Sequence, residues 1–263
     1  MLPFGVTDVE FSLVTFLSGF VGIALVVGAS KFVRVRYLAA FAVGVYLWYF
    51  TDTVGDSNYL DVNGGFVYSP YLVALLLLFA IGLLAFFALD RGMFAREPAA
   101  YGGLLVGAMA ALAVGLHGFG EGADFGFTAA QTSSITLLTA FGGLGPSASW
   151  VLHKMLEPAV AAVSYVALTG PDLKRSRKVS DIAVLATVFV LPAVVGSVAG
   201  YYSAFDITYV FALGLGASVY AFSRAAGSLY SPGEATSPWL TTRMALSVVL
   251  GFLLIFIAAL LHS

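Results

Sequence analysis

The sequence predicts an all-α integral membrane protein of eight transmembrane helices. Three observations lead there. The 263 residues are 60% hydrophobic and only 10% charged, against roughly 25% charge in an ordinary soluble domain. The mean hydropathy is +0.97. The apolar residues fall into runs of about 20, the length that crosses a bilayer as a helix. There are no cysteines, which removes disulfides and thiolate metal ligands. A net charge of −2 gives no sign of a nucleic-acid partner. The opening MLPFGVTDVE is acidic and lacks a basic region, so no cleavable signal peptide is expected.

The expected spans are 9–29, 37–55, 69–90, 100–128, 146–169, 181–201, 207–227 and 239–261. They form one transmembrane domain over residues 1–263. The stretch 129–145 is polar and glycine-rich, and reads either as a re-entrant loop or as an early start of span five. Basic residues fix the orientation, because short cytoplasmic loops are rich in Lys and Arg. Lys31, Arg34 and Arg36 follow span one, and Arg91 and Arg96 follow span three. Lys174, Arg175, Arg177 and Lys178 follow span five, while Arg224 and Arg243 flank the last loop. The opposite loops carry Asp52, Asp56, Asp61 and Asp206 and no basic residue. Both termini are therefore expected outside, in a multi-pass protein of the cell membrane. FAVG (41–44) in span two returns as FALG (211–214) in span seven. The echo is more simply coincidence in a chain rich in Ala, Gly and Phe, and is also compatible with an inverted repeat of spans one to three and six to eight.

Several ionisable residues fall inside these spans: His117, Glu121, Asp124, His153, Lys154 and Glu157, with Asp181 at a helix start. Charge at that depth is costly and marks function. His117 and Glu121 are one helical turn apart, and so are His153 and Glu157. Counted from the outer ends of two antiparallel spans, His117 matches Glu157 in depth and Glu121 matches His153. The four side chains can then converge on one point. Imidazole with carboxylate suits Zn(II), Fe(II), Mn(II) and similar ions, and one dication neutralises two buried carboxylates. A His-x-x-x-Glu pair can also be a simple intrahelical hydrogen bond. Asp124 reads either as a metal ligand on the way in or as a solvated vestibule charge, with Asp52 and Asp56 as further vestibule candidates. Pro158 should kink span five and free the carbonyl of Lys154.

HGFGEGADFG (117–126) resembles the HNxPEG motif in the fourth helix of the Zrt/Irt-like (ZIP) divalent-metal transporters. HKMLEPAV (153–160) resembles the HxxPE motif of their fifth helix. AFAVGVYL (40–47) and VFVLPAVVG (188–196) are similar to segments of their second and sixth helices. The resemblance implies a ZIP-like bundle, with the inverted repeat set around helices four and five. It implies one metal held by His117, Glu121, His153 and Glu157, carried into the cytoplasm. Zinc is the foremost cargo, with Fe, Mn or Cd as others, and there is no organic cofactor. A second metal found in many members is not expected. Its ligands are replaced here by Gly118, Lys154 and Leu191. Lys154 either places a fixed ammonium there or pairs with Glu157 or another carboxylate. The expected partners are metal ions and the lipid bilayer, with a homodimer left open. Two rival readings come from the residues. An intramembrane zinc enzyme would need a three-ligand metal and a spare base, for which Asp124 is the candidate. A haem carrier with His117 and His153 as axial ligands would leave both glutamates unexplained.

Overall fold

A computed structural model describes residues 4–56, 70–94, 102–131, 138, 142–169, 175–229 and 241–260. Among them the regular structure is entirely helical: α1 Phe4–Ala29, α2 Val35–Asp56, α3 Pro70–Phe94, α4 Gly102–Gln131, α5 Leu144–Leu156, α6 Ala159–Thr169, α7 Arg175–Tyr202, α8 Thr208–Gly227 and α9 Thr242–Ala259. Within the described residues each of the eight stretches expected from the sequence is represented by helix, with α5 and α6 together making the fifth. Seven are long and apolar enough to cross a membrane, so the chain is an all-α multi-pass membrane protein. The exception is α2, where tyrosines, Trp48, threonines and Asp52 dilute the apolar run. Eight membrane-crossing helices are thus not established by length and composition.

Local chemistry sets several boundaries. Gly142 and Gly143 have φ of 82° and 125°, a conformation that favours glycine, and they turn the chain into α5. Pro146 follows in the first turn of α5, where a missing N–H costs no helical bond. The polar stretch 129–145 therefore divides: residues 129–131 end α4, and the turn at 142–143 precedes α5. Positions 132–137 and 139–141 lie outside the described residues. Thr241 caps α9 by accepting a hydrogen bond from the Met244 N–H. At Glu157–Pro158 the fifth span breaks. The Glu157 N–H still reaches the His153 carbonyl at 2.9 Å, but Pro158 has no N–H to offer the carbonyl of Lys154.

Hydrophobicity alone does not hold such helices together in lipid; close backbone approach does. α4 is the most central helix, lying against α6, α7 and α8. It meets α7 along an interlocked line of glycines. A Cβ on Gly122 would stand 2.0 Å from the Ala193 carbonyl oxygen, and one on Gly126 would stand 1.9 Å from that of Ser197. In return, Gly196 fits against Phe119 and Gly200 against Ala123. α3 and α8 meet in the same way through Gly82 and Gly216, as do α2 and α9 through Gly44 and Gly251. α1 lies on α5 and α7, with Gly22 seated on the Met155 carbonyl. Two groups result, α1 with α4–α7 and α2 with α3, α8 and α9. The large apolar side chains of α3 and α9, such as Leu77, Leu84, Leu246 and Leu253, are exposed, as lipid-facing residues would be.

Candidate functional site

α4 places His117 and Glu121 on one face, Nε2 to Oε1 3.4 Å. His117 is buried between the two helix groups. Its ring meets the Tyr49 ring of α2 edge-on at 5.1 Å and the Phe211 ring of α8 at 4.9 Å. Gly214 of α8 passes directly against the His117 backbone, and Gly120 leaves the space filled by Phe211. Gly118 does related service for the carboxylate: a Cβ there would lie 3.6 Å from Glu121 Oε2 and 3.3 Å from the Ala193 Cβ.

The fifth span supplies the other half. Lys154, 1% exposed, stands in the last turn of α5. Its Nζ donates to Glu121 Oε2 at 2.5 Å and to Glu157 Oε2 at 2.8 Å. One ammonium thus bridges carboxylates from different spans, and His117 extends the chain by a further contact. The Nζ also lies 4.8 Å from the Trp150 ring and 5.9 Å from the Phe189 ring, within cation–π range. His153 is buried on α5, one residue before Lys154 and so about 100° from it around the helix.

Of the expected ligands, His117, Glu121 and Glu157 share one ion-pair chain, and its hub is Lys154. Among the described residues, no three His, Asp or Glu side chains gather into a metal-holding group. The arrangement therefore differs from the expected convergence of four ligands, because an ammonium stands between the two carboxylates. Of the two readings of Lys154, pairing with carboxylates is the one observed, and it pairs with two. Leu191 is 53% exposed on α7, and Phe189 is the α7 side chain beside the ammonium. Asp124 is exposed and lines a cavity of about 220 Å³ with Phe127, Ser203 and Phe205. Asp52, half-buried on α2, lies within electrostatic reach of His117, Glu121 and Lys154. The Asp56 side chain and Asp61 fall outside the described residues.

The remaining flagged charge, Asp181, is buried and accepts a hydrogen bond from the Tyr165 hydroxyl at 2.7 Å. Arg224 pairs with Asp90, tying α8 to α3, and Ser197 donates to Asp8, tying α7 to α1. These contacts brace the fold and need no functional role.

The aromatic surroundings were not anticipated. Trp150 was within reach, since it sits one turn before Lys154 on the same helix. Phe189, Tyr49 and Phe211 arrive from other helices, and no local pattern announces them. No family model and no curated protein matches the chain.

Proposed function

We propose that this protein carries divalent transition-metal ions across the cell membrane into the cytoplasm. Zinc is the foremost cargo, with Fe, Mn and Cd as chemically similar ones. The site is formed by His117, Glu121, His153 and Glu157 between the fourth and fifth spans. One observation carries the reading. Glu121, half-buried, and Glu157, buried, from different spans, already hold a single buried cation between them, beside an imidazole. Carboxylates buried there serve a cation, since bare they would be far too costly.

The helix contacts support an inverted repeat around the site. The α3–α8 pair is matched by α9–α2, and α4–α7 by the fifth span with α1. In this reading α2 crosses the membrane as well, giving eight spans. The alternation of basic and acidic loops then leaves both termini outside. His117 lies where the two helix groups meet, so rocking or sliding of one group against the other opens the site first outward, then inward. The cavity beside Asp124 is the outer approach. A carrier is favoured over an intramembrane zinc enzyme because Asp124, the spare base such an enzyme needs, faces that outer cavity.

Flux of Zn(II), Mn(II) and Fe(II) into proteoliposomes tests the proposal. Wild type should carry at least one of the three. The His153→Ala/Glu157→Ala variant should lose tenfold or more of the initial rate. A wild-type protein that moves none of them, in vesicles shown to hold folded protein, refutes the reading.

A further inference from the structure

We infer that Lys154 is a tethered rival of the transported ion: its ammonium holds Glu121 and Glu157 while the carrier is empty and gives way when a divalent cation arrives. The inference rests on the transport reading above and adds what returns the empty carrier.

Charge counting leads to it. Two carboxylates and one ammonium leave the empty site with a single negative charge. Two carboxylates and one dication leave it neutral. A dication and the ammonium together would put like charges side by side in a medium of low dielectric, where their repulsion is strong. The two cations therefore exclude each other, and each leaves the site nearly balanced. The Nζ sits 2.5 Å from one carboxylate oxygen and 2.8 Å from the other, so it occupies the position a shared cation would take.

Lys154, though buried, has a side chain that can shift. Its charge rides on a flexible four-carbon stem, in the last turn of α5 beside the Glu157–Pro158 break. Trp150 and Phe189 already face the carboxylate-bound ammonium at 4.8 and 5.9 Å, so part of its stabilisation does not depend on the two carboxylates. A carrier without this lysine would bind the dication more tightly. When empty it would hold two bare carboxylates, and its return step would be slow.

The test compares two modes in proteoliposomes: net zinc uptake into zinc-free vesicles, and exchange of labelled zinc with zinc on both sides. In wild type the two rates should agree within about twofold. In Lys154→Gln the half-saturating zinc concentration should fall at least fivefold, and exchange should outrun net uptake at least fivefold. A Lys154→Gln protein with the wild-type ratio of the two rates overturns the inference while the transport reading stands. Wild type that carries no divalent ion in either mode overturns both. If Lys154→Gln does not purify as a single species, Lys154→Arg decides. Its guanidinium grips two carboxylates more firmly, so half-saturation should rise at least threefold, and an unchanged value overturns the inference.

Discussion

Residues 117–121 and 153–157 share the spacing His-x-x-x-Glu, yet the two turns are built differently. In α4 the helix runs through without a break, and His117 and Glu121 meet each other at 3.4 Å. Small residues surround them: Gly118 leaves room for the carboxylate, and Gly120 for Phe211. In the fifth span the helix stops at the glutamate because Pro158 follows. The residue after the histidine is a lysine, and it takes the Glu157 carboxylate at 2.8 Å. The spacing sets which face of a helix two side chains share. The residues between and after them set whom they bond. Here the second turn reaches across and claims the first turn's carboxylate as well.

The comparison is broken most severely at Lys154. Lys154→Ala strands Glu121 and Glu157 without a cation, and losing one member of a buried ion pair costs about 3–5 kcal/mol. Glu121→Gln leaves Lys154 paired with Glu157 and should cost about 1–2 kcal/mol. Unfolding in lipid or mild detergent measures both. Equal losses would show that the ammonium is not the hub.

The α4 turn is attacked through its backing. Gly122→Val drives side-chain atoms into the Ala193 carbonyl, and overpacking of this kind costs about 1–3 kcal/mol. Gly118→Ala meets only ordinary or slightly tight neighbours and should cost less. The same unfolding experiment ranks them, and the reverse order would contradict the close α4–α7 contact.

A third change makes the two turns alike. Pro158→Ala supplies the missing N–H to the Lys154 carbonyl and should raise stability by about 1 kcal/mol or less. Under the proposed transport role it should also slow zinc uptake severalfold, because the fifth span is straightened beside Glu157. Uptake that is unaffected would mean the break has no part in the cycle.

The smallest effect lies away from both turns and serves as a control. Asp206 precedes α8 and accepts from the Tyr71 hydroxyl at 2.7 Å and the Thr208 N–H at 3.0 Å. Partial burial would raise its pKa, but these hydrogen bonds more than offset it and hold the carboxyl below the usual range. A depressed folded pKa means stability that is present above the unfolded value, near about 4, and lost as the pH falls through the folded one. The difference in unfolding midpoint between wild type and Asp206→Asn should be small at pH 7 and narrow progressively as the pH falls below about 4. A difference that persists at acid pH would assign it to packing instead.

The helices were legible because membrane spans are written in composition and length. The fifth span's break was legible from Pro158. α2 was the weakest case, and its tyrosines show why. Tyr46 bonds Ser218 of α8 at 3.0 Å, and Tyr49 packs on His117. Residues recruited to bury polar contacts dilute the apolar signal that marks a span. α7 begins at Arg175, ahead of the expected 181, because a helix continues into its basic flank while an apolar run does not. At the site, the pairing of Lys154 with Glu157 follows from a three-residue spacing. Its bond to Glu121 spans 33 positions and depends on how two helices come together. That depends in turn on glycine lines; Gly115, Gly118, Gly120, Gly122 and Gly126 of α4 mark a close helix approach in the sequence, but not which helix approaches.

The indole of Trp150 lies under the ammonium of Lys154 and is almost sealed from solvent. An indole's emission colour responds to charge held near its ring. Trp48, the other described tryptophan, sits instead in a cluster with Phe252 and Phe256 on the α2–α9 side. The protein therefore carries one of its three tryptophans at its charged centre and another at a distance from it. Displacement of that ammonium should shift the share of the emission that Trp150 contributes.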